Sequence, residues 1–422
     1  MTRSTIVAWI AVAALLAAPV HASNCAGTQT GLVPLTALGA GVYQGYEGGL
    51  YPGGSNVRPP AHDAAGRAIA AAISPLDTLG AVDPSGKVVF ISIGMSNCTQ
   101  EFSTFVVGAG NDAYKDPSVE VIDCALGGQT ASIIKNPAAA YWDTVRTRLR
   151  ARGSSPLQAQ VAWIKEANAG PTTGFPAATT TLMQDLGSVV RTLKDQFPNL
   201  RIAYLSSRIY AGYASTALNP EPYAYESGFA VKWLIEGQIA GADSLEFDPG
   251  QGTVEAPWLA WGPYLWADGL TPRADNLSWL CSDFANDGTH PSINGRVKVA
   301  NLLLSFVHQD ETARLWYTTS STAVPPTTMP GVRLAMAPNP ARDRVTLVIA
   351  PAAGERWQLE VLDLAGRRLH GIASGVGDGS ARELHWDATD ARGERATAGI
   401  YFVRLESASG RTVHRLVLLG PR

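Results

Sequence analysis

Val88-Val89-Phe90-Ile91-Ser92-Ile93-Gly94-Met95-Ser96-Asn97 is the stretch whose reading decides the fold. Its first six residues carry no charge and are mostly β-branched or aromatic. They read as a strand buried on both faces, as in a parallel sheet covered by helices. Gly94 interrupts the run, and Thr99 to Val107 has a helix-compatible pattern. Ser96 therefore falls where a strand turns into a helix. Its hydroxyl and its backbone N–H face one space there, and the helix N-terminus favours negative charge. The same position suits a plain helix cap, because Ser and Asn are preferred at helix starts. Cys98 stands where a Gly-x-Ser-x-Gly elbow needs its second glycine, so an α/β-hydrolase fold gains no support.

The alternation continues outward. Lys87 to Ile93, Val119 to Asp123, Gln160 to Ile164 and Arg201 to Ser206 read as strands, with Met183 to Gln196 and Ala230 to Ile239 as helices. That pattern predicts an α/β sandwich around a mainly parallel sheet. A Thr-, Ser- and Pro-rich stretch, Thr318 to Pro330, reads as a linker. Beyond it, Val345 to Ile349, Trp357 to Asp363, Ile400 to Glu406 and Thr412 to Leu418 alternate with turn residues and predict a small all-β sandwich of immunoglobulin-like size.

At 422 residues, 46% of them hydrophobic, the chain can bury a sizeable core. A net charge of -3 with no run of Lys or Arg gives no footprint for nucleic acid or anionic lipid. Arg3, the apolar run Ile6 to Ala18 and the small-x-small site Val20-His21-Ala22 predict an export signal. The run falls short of the roughly 20 residues that span a bilayer, and no later stretch qualifies. Asn24 before Cys25 lacks the small residue that a lipoprotein signal needs. The expected organisation is a signal at 1–22, a main domain at 23–317, a linker at 318–330 and a β domain at 331–422, in a secreted or cell-surface protein. Four cysteines in an oxidising compartment suggest disulfides, with three full pairings open. Cys98 with Cys124 is the favoured pair because they flank two motifs expected to meet, with two buried free thiols as the competing reading. No spacing resembles a metal site.

Three motifs carry chemistry. A serine nucleophile needs a base, an acid that orients the base, and donors for the developing oxyanion. Ser96 is the first. The second is Val121-Ile122-Asp123-Cys124-Ala125-Leu126-Gly127-Gly128, a strand running into glycines that let a backbone N–H approach a ligand. The third is Asp287-Gly288-Thr289-His290, followed by Pro291-Ser292 and a helical pattern from Ile293 to Phe306. An acid three residues before a histidine can hold one ring nitrogen while the other faces a serine. Only His62, His290 and His308 precede the linker in the mature part, so His290 has few rivals.

Together these residues resemble the SGNH (GDSL-like) hydrolase superfamily, whose blocks run Ser, Gly, Asn and Asp-x-x-His. Ser96, Gly128 and Asp287 with His290 match three blocks in order, over roughly Lys87 to Phe306. Gly94-Met95-Ser96-Asn97 looks closest to the Gly-Gln-Ser-Asn signature of the sialate and xylan acetylesterase branch, with Met95 in place of Gln. The resemblance implies a three-layer α/β/α sandwich of flavodoxin-like type and ester hydrolysis through an acyl-serine without a cofactor, on acetylated carbohydrate. Ser96, Asp287 and His290 would be catalytic, and Ser96, Gly128 and a third group would hold the oxyanion. The third block departs from Gly-x-Asn-Asp: here Asn168 or Lys165 would take that place. Gly110-Asn111-Asp112 breaks the block order and reads as a surface turn. Trp258, Trp261, Tyr264 and Trp266 crowd a short stretch that suits a substrate cleft or buried packing equally. A glycan-binding protein on the same fold and a lipase are the competing functions. After the linker, Ala337-Pro338-Asn339-Pro340, Val361-Leu362-Asp363, Gly399-Ile400-Tyr401 and Val413 to Leu418 resemble the C-terminal sorting domain of type IX secretion cargo, or its FlgD-like relative. That resemblance implies export machinery as a partner.

Overall fold

The computed structural model describes residues 23–319, 333–337, 341–351, 353–363, 367–378, 380, 382–397, 399–407 and 410–419. The expected signal, most of the linker and Pro338 to Pro340 lie outside these residues. The chain divides into two compact units between Ser320 and Ser321.

The first unit is built on a five-stranded sheet: β1 (Val88–Gly94), β2 (Val119–Ile122), β3 (Ala159–Lys165), β4 (Ile202–Leu205) and β5 (Trp258–Trp261). Their order is β2-β1-β3-β4-β5, and every pairing is parallel. All residues of β1, β3, β4 and β5 are buried, as expected of strands covered on both faces. Helices α1 (Pro60–Ala71), α2 (Ser96–Gly110), α3 (Ala140–Ala151), α4 (Ala177–Gln196), α5 (Tyr223–Ile239), α6 (Ile293–Gln309) and α7 (Ala313–Tyr317) supply the covers. α2 packs on α6, α6 on α7 and α7 on α1, while α4 packs on α5. α2 carries the chain from β1 toward β2, whereas α4 and α5 carry it the opposite way along the sheet. Right-handed crossovers then put the two groups on opposite faces.

The strand and helix readings are recovered with small changes of boundary. β5 was not expected as a strand: Trp258 to Trp261 is short and sits at the sheet edge, yet is wholly buried. α5 begins seven residues before its expected start at Ala230, and its first half is buried almost all round, which erases the amphipathic period.

The second unit has β6 (Arg333–Ala337), β7 (Val345–Ala350), β8 (Arg356–Leu362), β9 (Arg368–Val376), β10 (Arg382–Trp386), β11 (Gly399–Ser407) and β12 (Gly410–Leu418). They form antiparallel sheets in the orders β9-β8-β11-β12 and β10-β7-β6. Leu347 and Trp386 of one sheet and Leu359, Val403 and Leu416 of the other share one core.

The cysteine expectation is corrected. Cys25 is bonded to Cys281, 256 residues away, and Cys98 and Cys124 are buried free thiols. The Cys98 thiol instead donates to the Ile93 carbonyl at 3.4 Å.

Under the C-terminal ends of β1 and β3, Lys165 Nζ lies 2.5 Å from both carboxyl oxygens of Glu101, with both side chains fully buried. Burial pushes the Glu101 carboxyl up and the Lys165 ammonium down, each opposed by the partner's charge. Removing one partner of such a pair strands the other. Lys165→Met is expected to destabilise the first unit by about 3–5 kcal/mol in urea unfolding, and Glu101→Leu with Lys165→Met to recover most of the loss. A double variant as unstable as the single one would refute the pairing.

Candidate active site

Ser96 is the first residue of α2, directly after β1 and Met95. Its hydroxyl does not cap the helix; Ser96 Oγ lies 2.8 Å from His290 Nε2. His290 Nδ1 lies 2.5 Å from Asp287 Oδ2, so the neutral imidazole that donates from Nδ1 accepts the serine proton at Nε2. Asp287 Oδ1 accepts from the backbone N–H of Thr289 at 3.0 Å and of His290 at 2.9 Å. The loop thus winds around its own carboxylate. Partial burial pushes that carboxyl up, but the hydrogen bonds from His290 and Thr289 outweigh it and hold Asp287 below its ordinary range.

Gly288 is required between them. It has φ +63°, and a Cβ there would lie 1.8 Å from the Tyr213 carbonyl oxygen. Asn97 Nδ2 donates to the Thr289 carbonyl at 3.0 Å, tying the residue after the serine to the residue before the histidine. Ser292 caps α6 by accepting from Gly295 N–H. Sequence reasoning passed over Asn97, although its place beside Ser96 was a usable signal.

Ser96, His290, Gly128, Asn168 and Arg208 line one cavity of about 360 Å³. Gly128 adopts φ +78° in the loop after β2, a conformation open to glycine at little cost. Asn168 follows β3 with its amide held on both sides: Oδ1 accepts from Ser132 N–H at 2.9 Å and Nδ2 donates to Asp185 Oδ2 at 2.8 Å. Lys165 does not line this cavity and is committed to Glu101.

The aromatic group also lies elsewhere. Trp258 is fully buried, stacks on His62 and donates to the His62 carbonyl. Trp261 donates to the Leu50 carbonyl at 2.7 Å, and the Tyr264 hydroxyl accepts from Leu35 N–H at 3.2 Å. These contacts are core packing between β5 and the N-terminal segment, and none of the three residues lines the cavity at Ser96. Among the described residues no cluster of His, Cys, Asp or Glu is arranged to hold a metal ion, and no helix is long and apolar enough to cross a membrane.

No protein-family model matches this chain, and no curated protein matches it. Solved structures do resemble it. Latent PorU of Porphyromonas gingivalis matches at 23% identity over 21% of this chain and 9% of that one, with a TM-score of 0.19. The chain therefore spans about a tenth of that protein's length. A protein of Bacteroides fragilis assigned as an acylhydrolase matches at 13% identity over 61% of this chain and 100% of its own, with a TM-score of 0.30. The periplasmic domain of a Salmonella Paratyphi A lipopolysaccharide acetyltransferase matches at 13% identity over 53% and 82%, with a TM-score of 0.28. At these scores the likenesses bear on neither activity nor substrate, which the side chains have to carry.

The depressed Asp287 pKa has a signed consequence. Between the folded and unfolded values the unfolded chain binds more protons, so stability rises with pH across that window. The contribution is present above the ordinary value of 3.8 and fades as pH falls through the lower folded value. Asp287→Asn should therefore show a shallower loss of stability between about pH 5 and 2 than the wild type. Urea midpoints measured across that range check it, and parallel pH profiles would contradict it.

Proposed function

We propose that the chain is an extracytoplasmic serine esterase of the SGNH type that removes small acyl groups, acetyl foremost, from carbohydrate or related alcohols. The observation that carries this reading is the hydrogen-bonded series Ser96, His290, Asp287 opening on a cavity of acyl size. The Cys25–Cys281 bond supports an oxidising compartment.

In this reaction Ser96 Oγ attacks the ester carbon as its proton passes to His290 Nε2. Asp287, ionised, stabilises the imidazolium through Nδ1–H without taking the proton. The oxyanion is held by the N–H groups of Ser96 and Gly128, with the second N–H of the Asn168 amide as third donor. Asn168 suits this role because Ser132 and Asp185 fix its orientation in advance. His290 then protonates the leaving alkoxide. Water, deprotonated by the same nitrogen, cleaves the acyl-serine and releases the acid. No cofactor is needed.

Release of p-nitrophenol from acetyl, butyryl and octanoyl esters tests the reading. Acetyl should be preferred, Ser96→Ala and His290→Ala should each lose roughly a thousandfold or more, and Asn168→Ala about 10²–10³-fold in kcat. Activity indifferent to Ser96 and His290 would sink the triad, and octanoyl preference would move the enzyme to the lipases.

We also propose that the second unit, an immunoglobulin-like sandwich of sorting type, is recognised by type IX export machinery. The motifs at Val361 to Asp363, Gly399 to Tyr401 and Val413 to Leu418 support it. Residues 321–422 fused to a periplasmic reporter should release it from cells that carry this machinery. Equal release from cells without the machinery would overturn the assignment.

A further inference from the structure

We infer that the cavity beside Ser96 holds a carboxylate subsite formed by Arg208, so that the ester cleaved there carries an anionic group close to the scissile bond. This rests on the esterase reading above. Arg208 follows β4 by three residues, is 2% exposed and lines the cavity together with Ser96 and His290. Among the described residues its Nε and Nη2 have no hydrogen-bond partner, and its Nη1 reaches only the Met95 thioether, at 3.9 Å.

A guanidinium is among the most costly groups to bury without a counter-ion. The acidic side chains that act on it through space are Glu101, Glu166, Glu221 and Asp287. Each has other partners. Glu101 holds Lys165, Glu221 accepts from Trp266, Ala211 and Tyr225, and Asp287 holds His290, while Glu166 accepts from Ala167 N–H through Oε2 and its Oε1 has no partner among the described residues. None of the four bonds to Arg208 among the described residues. Nε–H and Nη2–H form one edge of the planar group, the edge that grips both oxygens of a carboxylate. Asn219 Oδ1, a second buried cavity atom without a partner, would accept from a hydroxyl beside that carboxylate.

β4 lies two strands from β1 in the sheet, about 10 Å at ordinary strand spacing. The Arg208 backbone is thus set apart from Ser96, while its Nη1 reaches back to the Met95 thioether; a subsite and an oxyanion role therefore differ in their dependence on substrate charge.

The test compares kcat/KM within two pairs of esters. p-Nitrophenyl hemisuccinate against p-nitrophenyl pentanoate places the charge on the acyl side, and 4-acetoxybenzoate against 4-acetoxybenzamide places it on the alcohol side. The wild type should prefer the charged member of at least one pair by about 10- to 100-fold. Arg208→Met should bring that ratio near one, and Arg208→Lys should retain part of it. A wild-type ratio near one in both pairs overturns the subsite whether or not the variants fold. An equal loss on charged and neutral esters in Arg208→Met overturns it in favour of an oxyanion role. If no ester is cleaved, the esterase reading fails separately. Calorimetric titration of succinate into Ser96→Ala then decides: saturable binding lost on adding Arg208→Met supports the subsite, and absence of binding overturns it.

Discussion

The chemistry of this site depends on one hydrogen bond, from Ser96 Oγ to His290 Nε2, between residues 194 positions apart. A shift of about 1 Å between reacting groups can cost roughly a hundredfold in rate, so two distant pieces of chain have to be fixed to each other. One piece is fixed by the sheet, because Ser96 follows β1, an inner strand paired on both sides. The other is a loop, and loops need ties. Asn97 holds it through Thr289, Ser215 N–H donates to the Asp287 carbonyl at 3.0 Å, and Gly288 lets it close against Tyr213. Beyond the loop, α6 packs on α2, the helix that begins at Ser96. Before it, Cys281 is bonded to Cys25, and Asn24 N–H donates to the Tyr213 carbonyl. The disulfide thus fastens the start of the described chain around the same tyrosine that supports the loop.

Charge buried beneath the cavity gives the site its second character. Glu101, Lys165, Glu166 and Arg208 are all nearly inaccessible, and each ion taken from water costs several kcal/mol unless it is paired. Lys165 and Glu101 offset each other. Burial pushes the Glu166 carboxyl well above its ordinary range, toward the neutral acid. Burial likewise pushes the Arg208 guanidinium down from its ordinary range, opposed by the charges of Glu101 and Glu166. Under the proposed esterase reading, a cationic guanidinium beside Ser96 would attract an anionic substrate.

What was legible in the sequence was what local pattern determines. The charge-free run into Gly94-Met95-Ser96 specified strand, turn and helix, and Asp287-Gly288-Thr289-His290 carried its geometry within four residues. What was not legible depended on contacts across the sheet. Lys165 has the composition of a solvated strand end, and only Glu101, on a helix 64 residues earlier, makes it a buried ion. Cys98 and Cys124 do flank the two motifs that meet, yet the bridge joins Cys25 and Cys281 because the N-terminal segment returns to the loop, a path no spacing encodes. The aromatic stretch at Trp258 had enough side-chain area for a cleft, but it is an edge strand with α1 and the N-terminal segment packed on it. Arg208 had a readable signal, a charged residue just past the C-terminal end of a parallel strand, where ligands gather in such sheets.

That rule explains why four separate segments meet in one cavity. The chain leaves β1 toward β2 on one side and later continues through β3 and β4 on the other, which opens a crevice at the C-terminal ends where the direction reverses. Gly128, Ser96, Asn168 and Arg208 follow β2, β1, β3 and β4, and so stand in that order across the sheet at strand spacings of about 4.8 Å. Ser96 is flanked by the glycine loop on one side and the pinned amide on the other, each one strand away. The Arg208 backbone is one strand further, and its side chain reaches back to Met95, beside Ser96. Sheet geometry therefore sets four neighbouring strand ends around one cavity. Under the proposed subsite, binding energy gained by a carboxylate at Arg208 would help orient the ester against Ser96.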